Sequence, residues 1–222
     1  MDDYYGILVS QFCNDDTLNI FCDASIIGKP GNKTGCYGVV GVVKDRIIDS
    51  TYRLVSYTTS NNSEIKGLRA ALDMAHKYKD RFQFINIFSD SQVSVYGLKD
   101  YIYRWKLKDG ILYTTMNNPV ASQEVFIEAH HMLVELEQAP VIINIFHQSG
   151  HVDNGYSSLH KATDNFKKFN NIKGKIDINF IRYISSWNNY VDNTSRSLLR
   201  RNKNNEQEYI DPVHFTCENG RL

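Results

Sequence analysis

The stretch that most constrains the fold is Leu18–Ser25, LNIFCDAS, a short apolar run carrying a single acid, Asp23. Such a run reads as a buried strand. A carboxylate inside it loses several kcal/mol of hydration unless something compensates. Asp23 therefore calls for a bound cation or for a set of structural hydrogen-bond donors.

The neighbouring segments say what kind of sheet holds that strand. A turn-forming stretch, IIGKPGNKTG, separates it from Gly35–Val43, GCYGVVGVV, which reads as a second strand whose glycines mark bulges or close backbone approach. Lys44-Asp45 turns the chain into Arg46–Tyr57, a third strand, and short turns between the three make an antiparallel meander. Ile65, Leu68, Leu72 and Ala75 then recur at helical spacing, with Ser60, Asn61 or Asn62 available as the cap and Glu64 in the first turn. Gln83–Ser89 is a fourth strand and Ser91–Trp105 a second helix. Residues 106–122 read as a loop or broken short helix, Gln123–Glu137 as a helix, and Val141–Phe146 as a continuously apolar strand of a mixed sheet. Beyond it, Ser157–Phe169 reads as helix, Asp177–Tyr183 as strand by alternation, and Asn189–Arg201 as a helix with a basic end.

Three acids hold comparable places in this order: Asp23 on the first strand, Glu64 at the start of the first helix, Asp90 just after the fourth strand. Singly, Glu64 is an ordinary helix-start acid and Asp90 an ordinary cap. Together, with strands one and four adjacent and parallel, they form a like-charged cluster that persists by binding cations. Their hard oxygens suit magnesium or manganese.

The segments IFCDAS, GCYGVVGVV, TTSNNSEIKGLRAAL, INIFSDSQVSVYGLKDYIYRW and VIINIFHQSGH, in that order, resemble type 1 ribonuclease H. The resemblance implies an α/β fold: a five-stranded mixed sheet, three antiparallel strands plus two parallel, flanked by helices. It also implies cleavage of the RNA strand of RNA–DNA hybrids with two Mg²⁺ ions, Mn²⁺ being possible. Carried across residue by residue, Asp23, Glu64 and Asp90 match the first three metal-binding acids. The fourth is Asp192, in NNYVDNTSRSLL, with Asp164 in HKATDNFKKF as its rival. His151 matches the family's loop histidine, a proton shuttle near neutral pH. His147 is the nearby alternative, and His130-His131 sits on a helix. The forty residues 152–191 between His151 and Asp192 depart from the family's short run, so an insertion is expected at about 152–187. The implied organisation is a lead-in at 1–17, a ribonuclease H-like domain at 18–201 and a tail at 202–222.

For the nucleic acid, the resemblance places Thr59 at a DNA phosphate and Ser60, Asn61 and Gln92 where sugars and bases are read. It places Tyr101 and Trp105 along the DNA strand. The family's basic handle reads here as WKLKDGILYTTMNNP, with only Lys106 and Lys108 basic. Lys161, Lys167, Lys168, Lys173, Lys175, Arg196, Arg200 and Arg201 are expected to replace it as an electrostatic surface.

The even balance of 25 basic and 25 acidic residues leaves local patches, not net charge, to attract a polyanion. Cys13, Cys22, Cys36 and Cys217 have no zinc or disulfide spacing. MDDYYGILVSQF has no basic-then-apolar leader, and no run reaches the ~20 apolar residues of a membrane span. The expectation is a cytoplasmic protein without a membrane partner. Two rivals share the fold: a nuclease acting on another nucleic acid, and a non-catalytic binding module. Intact acids argue against the module, which has no use for a repulsive cluster.

Overall fold

The computed structural model describes residues 11–29 and 31–204. Residues 1–10, most of the N-terminal lead-in, and the tail from 205, with Cys217, lie outside the described residues. Five strands form the main sheet: β1 (Thr17–Lys29), β2 (Asn32–Val43), β3 (Arg46–Val55), β4 (Phe84–Ser89) and, skipping a small hairpin, β7 (Ile142–His147). Their order is β3-β2-β1-β4-β7. β1, β2 and β3 are antiparallel, and β4 runs parallel to β1 and β7.

Side chains alternate between two faces along each strand. Leu18, Ile20, Val39, Ile85, Ile87 and Ile145 face one way, onto α1 (Ser60–Tyr78), α2 (Gln92–Lys99) and α3 (Gln123–Glu137). Phe21, Val40, Val42, Phe88 and Phe146 face the other, onto α4 (Tyr156–Phe169) and α5 (Ile178–Asn204). Three asparagines lie level on this second side of the parallel strands. Asn144 Nδ2 donates to Asn86 Oδ1 (3.0 Å), Asn86 Nδ2 to Asn19 Oδ1 (3.1 Å), and Asn19 Nδ2 to the Phe12 carbonyl (2.7 Å). Buried amides are tolerated because this chain of bonds satisfies them.

The structure corrects the sequence reading in three places. Residues 177–183 are not a strand: only Asp177 precedes α5, and its carboxylate accepts from the Asn179 N–H (2.9 Å) at the helix start. A seven-residue window resembles alternation, but Phe180, Ile181, Ile184, Trp187 and Val191 continue at helical spacing and are all buried. The helix read as Ser91–Trp105 stops at Lys99 and is followed by a 3-10 turn, Tyr101–Arg104. Residues 106–113 form a hairpin, β5 (Lys106–Lys108) and β6 (Ile111–Tyr113). Its Asp109-Gly110 corner has φ of 52° and 77°, the two left-handed residues a tight hairpin turn requires.

Among the described residues Cys13, Cys22 and Cys36 are free, and no helix is long and apolar enough to cross a membrane.

Candidate active site

The site forms where β1 and β4 part. Their pairing ends at Cys22↔Ser89, and the next residue of each strand is an acid, Asp23 and Asp90. Glu64 arrives from α1. The Thr59 hydroxyl caps that helix by accepting from the Asn62 N–H (3.2 Å), which puts Glu64 just past the first turn rather than in it. One carboxylate oxygen from each of Asp23, Glu64 and Asp90 lies within 4.8 Å of the others. Asp192 comes from α5. Its Oδ1 accepts from Ser25 Oγ (2.7 Å) and its Oδ2 from Arg196 (2.6 Å), so it faces the same cleft but stands outside the three-acid group. Close packing brings α5 in: Gly38, opposite Asp23 on β2, has no room for a Cβ between the Tyr52 ring and Ser195 of α5. Asp164 is exposed on α4 and does not line the cleft.

The cleft has a volume of about 500 Å³ and is lined by all four acids with Ser25, Ser60, His151, Arg196 and Arg200. Its electrostatics are those of crowded anions. Burial, then the charges of Asp90 and Asp192, push Asp23 up to about 8 against the pull of the Ala24 N–H and Arg196. Burial, then Asp23, Asp90 and Asp192, push Glu64 up to about 10. Burial also raises Asp90, while Asn188 and His151 draw it back. Glu64 Oε2 is buried without a hydrogen-bond partner. A carboxylate with an orphaned oxygen, grouped with two other acids, fits a hard divalent cation, which would satisfy it and remove the repulsion.

The His151 imidazole is 73% exposed, with Nδ1 3.7 Å from Asp192 Oδ2. Its backbone is left-handed, φ 52°. The preceding Gly150 lies so close to Asp90 Oδ2 that a Cβ would overlap it. His147 does not line the cleft. It is buried between the Tyr96 and Phe169 rings, with Nε2 3.2 Å from the Asp90 carbonyl, and burial lowers its pKa. His130 packs edge-on against Tyr103, and His131 is exposed.

Of the substrate-contact candidates, Thr59, Ser60 and Asn61 are exposed at the start of α1, and Gln92 is exposed at the start of α2. Tyr101 is stacked on Tyr96 with Arg104 over its ring, and Trp105 is half-buried edge-on against Phe126. The sequence reading missed Ser25, Gln148 and Asn188. Asn188 Nδ2 lies 3.4 Å from Asp23 Oδ2 and 3.5 Å from Asp90 Oδ2. The signal for it was its spacing: four residues before Asp192, it shares that acid's helix face.

A mixed sheet of this order, with one acid midway along its central strand, a second just past the parallel strand beside it and a third from the helix packed on the sheet, defines a ribonuclease H-like nuclease. The RNase H family model matches residues 15–167. A ribonuclease H of Pseudoalteromonas translucida is 32% identical over 114 residues, half of this chain and 67% of the relative. The chain belongs to the RNase H family and is a ribonuclease H enzyme. In fold it is similar to the foamy viral protease-reverse transcriptase solved with an RNA/DNA hybrid, at TM-score 0.55 and 13% identity, over 89% of this chain and 21% of that one. The foamy viral enzyme solved with dsDNA matches at TM-score 0.50 and 14% identity, over 75% of this chain and 94% of that one. The family match contains Asp23, Glu64, Asp90 and Asp164 but ends before Asp192.

Proposed function

We propose that the chain hydrolyses the RNA strand of RNA–DNA hybrids with two divalent ions, Mg²⁺ or Mn²⁺, held by Asp23, Glu64, Asp90 and Asp192. The observation that carries this reading is the convergence of three carboxylates within 4.8 Å, one of them with an unpartnered oxygen. The ions, when bound, supply Lewis acidity toward a phosphodiester and its attacking water.

The chain's own groups do the rest. Asp23 is fixed within β1, Asp90 directly after β4 and Glu64 by a capped helix, so little reorganisation is needed to receive cations. Arg196 holds Asp192 at the cleft wall and presents a guanidinium, 44% exposed, where a phosphate enters. His151 moves a proton at the cleft mouth, on an exposed imidazole set beside Asp192. Thr59, Ser60 and Asn61 offer hydroxyl, amide and helix N-terminal N–H groups to the sugar–phosphate backbone, and Gln92 adds an amide. Such groups can read the 2′-hydroxyls that separate RNA from DNA. Tyr101 and Trp105 border the DNA strand, and the lysines around α4 draw the polyanion in. Residues 18–201 act as one catalytic unit with 152–187 inserted, flanked by 1–17 and 202–222, in a cytoplasmic setting.

The test is incubation with labelled RNA–DNA hybrid, duplex RNA and duplex DNA, in Mg²⁺, in Mn²⁺ and in chelator. Metal-dependent cutting of the RNA strand in the hybrid alone is expected. Cutting in chelator, or preferential cutting of duplex DNA, overturns the reading.

A further inference from the structure

Gln148 and Asn188 are 1% and 2% exposed, and they join the sheet to α5 directly behind the acids. The Gln148 backbone N–H donates to the Ser89 carbonyl (2.9 Å), which carries the β7–β4 pairing one residue past β7. Its side chain reaches across to α5, where Nε2 donates to Asn188 Oδ1 (2.7 Å). Asn188 then turns its Nδ2 toward Asp23 Oδ2 and Asp90 Oδ2, at 3.4 and 3.5 Å.

The polarity of this pair is dictated from the acid end. Ionised, as they must be to hold a cation, the two carboxylates accept and do not donate, so Asn188 must show them its NH₂ and turn its oxygen away. That oxygen needs a donor, and only the Nε2 end of Gln148 provides one. The consequence is visible on Gln148: its Oε1 is buried with no hydrogen-bond partner. A buried acceptor left unpaired is destabilising, and such exceptions call for a reason. Here the reason is that reversing Gln148 would force Asn188 to aim an oxygen at two acids.

We propose that Gln148 is a positioning residue for the cation site, acting through Asn188: the two amides form a buried relay that pins the facing oxygens of Asp23 and Asp90 at one separation. The proposal rests on the reading above that these two acids hold the ions. Gln148 touches neither acid. It fixes which end of Asn188 does, as partners behind metal ligands commonly orient them. The relay also ties the segment that carries His151 to the same two carboxylates, because Gln148 and His151 are three residues apart.

The experiment is calorimetric titration of the full chain with Mg²⁺, without substrate, for the wild type, Gln148→Met, Asn188→Leu, the double variant and Asp90→Asn. Gln148→Met keeps the volume and removes the donor. It is expected to weaken Mg²⁺ binding roughly tenfold, the scale typical of lost partners behind metal ligands. Asn188→Leu is expected to weaken it at least as much, and the double variant no more than Asn188→Leu alone, since the two act as a unit. Gln148→Met binding Mg²⁺ within twofold of wild type, or losses that add, overturns the relay. If the wild type binds no Mg²⁺, or Asp90→Asn binds it equally well, the cation-site reading falls first. A measurement on the wild type guards against variants that fail to fold. The side-chain NH₂ resonances of Gln148 and Asn188 are expected to shift together as Mg²⁺ is added, and stationary Asn188 signals sink the proposal.

Discussion

The two faces of the sheet are built from different materials and serve the site differently. The α1 face is mostly aliphatic: Leu18, Ile20, Ile85 and Ile87 meet Ile65, Leu68 and Leu72, with Phe82 and Phe126 at its margins. The α5 face is aromatic. Phe88 stacks between Phe21 and Phe146 at 5.0 and 5.3 Å, and Phe12, Phe166, Phe180 and Trp187 close around them. The first face delivers Glu64 from a helix that follows β3 almost at once. The second delivers Asn188 and Asp192 from about a hundred residues beyond Asp90. Local capping positions one acid, and long-range ring packing positions the other. The same centre is thus served by contacts of very different sequence separation.

The largest expected effect tests the shared centre. Asp90→Asn should cut hybrid hydrolysis on the order of a thousandfold, a barrier increase of about 4 kcal/mol. A single-turnover assay reads it, and a loss under tenfold means the two faces do not meet at Asp90. The next separates the faces. Phe88→Ala should cost about 3 kcal/mol in urea unfolding and also weaken Mg²⁺ binding, because α5 rests on that ring. Leu133→Ala, on the other side, should cost about 2 kcal/mol with Mg²⁺ affinity unchanged. Equal effects on metal binding would erase the distinction.

The third effect is electrostatic. Asp23 and Glu64 hold their protons in the folded state up to about 8 and about 10. Unfolded, they release them near 4. The folded chain therefore binds more protons between those limits, and stability falls as pH rises through them. In chelator, the melting temperature should drop by roughly 3–8 °C between pH 5 and pH 8.5. Saturating Mg²⁺ should flatten that slope, since an ion that binds only the folded state stabilises it. A slope of the opposite sign refutes the crowding of acids.

Smaller still is the cap. Thr59→Ala should destabilise by about 1 kcal/mol in thermal unfolding, with the loss confined to α1 in hydrogen exchange. Last, reversing Lys167 and Lys168 to Glu should weaken hybrid binding by roughly three- to tenfold and lower its salt dependence, read by fluorescence anisotropy. Unchanged affinity would leave the α4 surface without a part in binding.

Asp23, Glu64 and Asp90 were legible because each acid interrupts or ends a recognisable element, and local periodicity reports elements well. Asp192 was legible only through the resemblance carried by NNYVDNTSRSLL, and only the fold separates it, on the cleft wall, from Asp164, which lies off the cleft. The start of α5 was misread because a short alternating window fits either period until the following turns are counted. The Asp109-Gly110 pair is a turn signal of the kind that marks a hairpin, although the strands beside it are only three residues each. Gln148 left no local trace at all. Its meaning lies in what it reaches across the molecule.

The asparagine row has one more implication. Asn19, Asn86 and Asn144 each stand four positions ahead of Asp23, Asp90 and Gln148. A strand that slid by two positions would still turn its rings toward α5, so the apolar core alone would barely notice. It would carry its active-site residue roughly 7 Å out of line, and it would break the run of amides as it did so. The row works as a gauge, set well away from the chemistry, that makes a mis-threaded centre the costly arrangement.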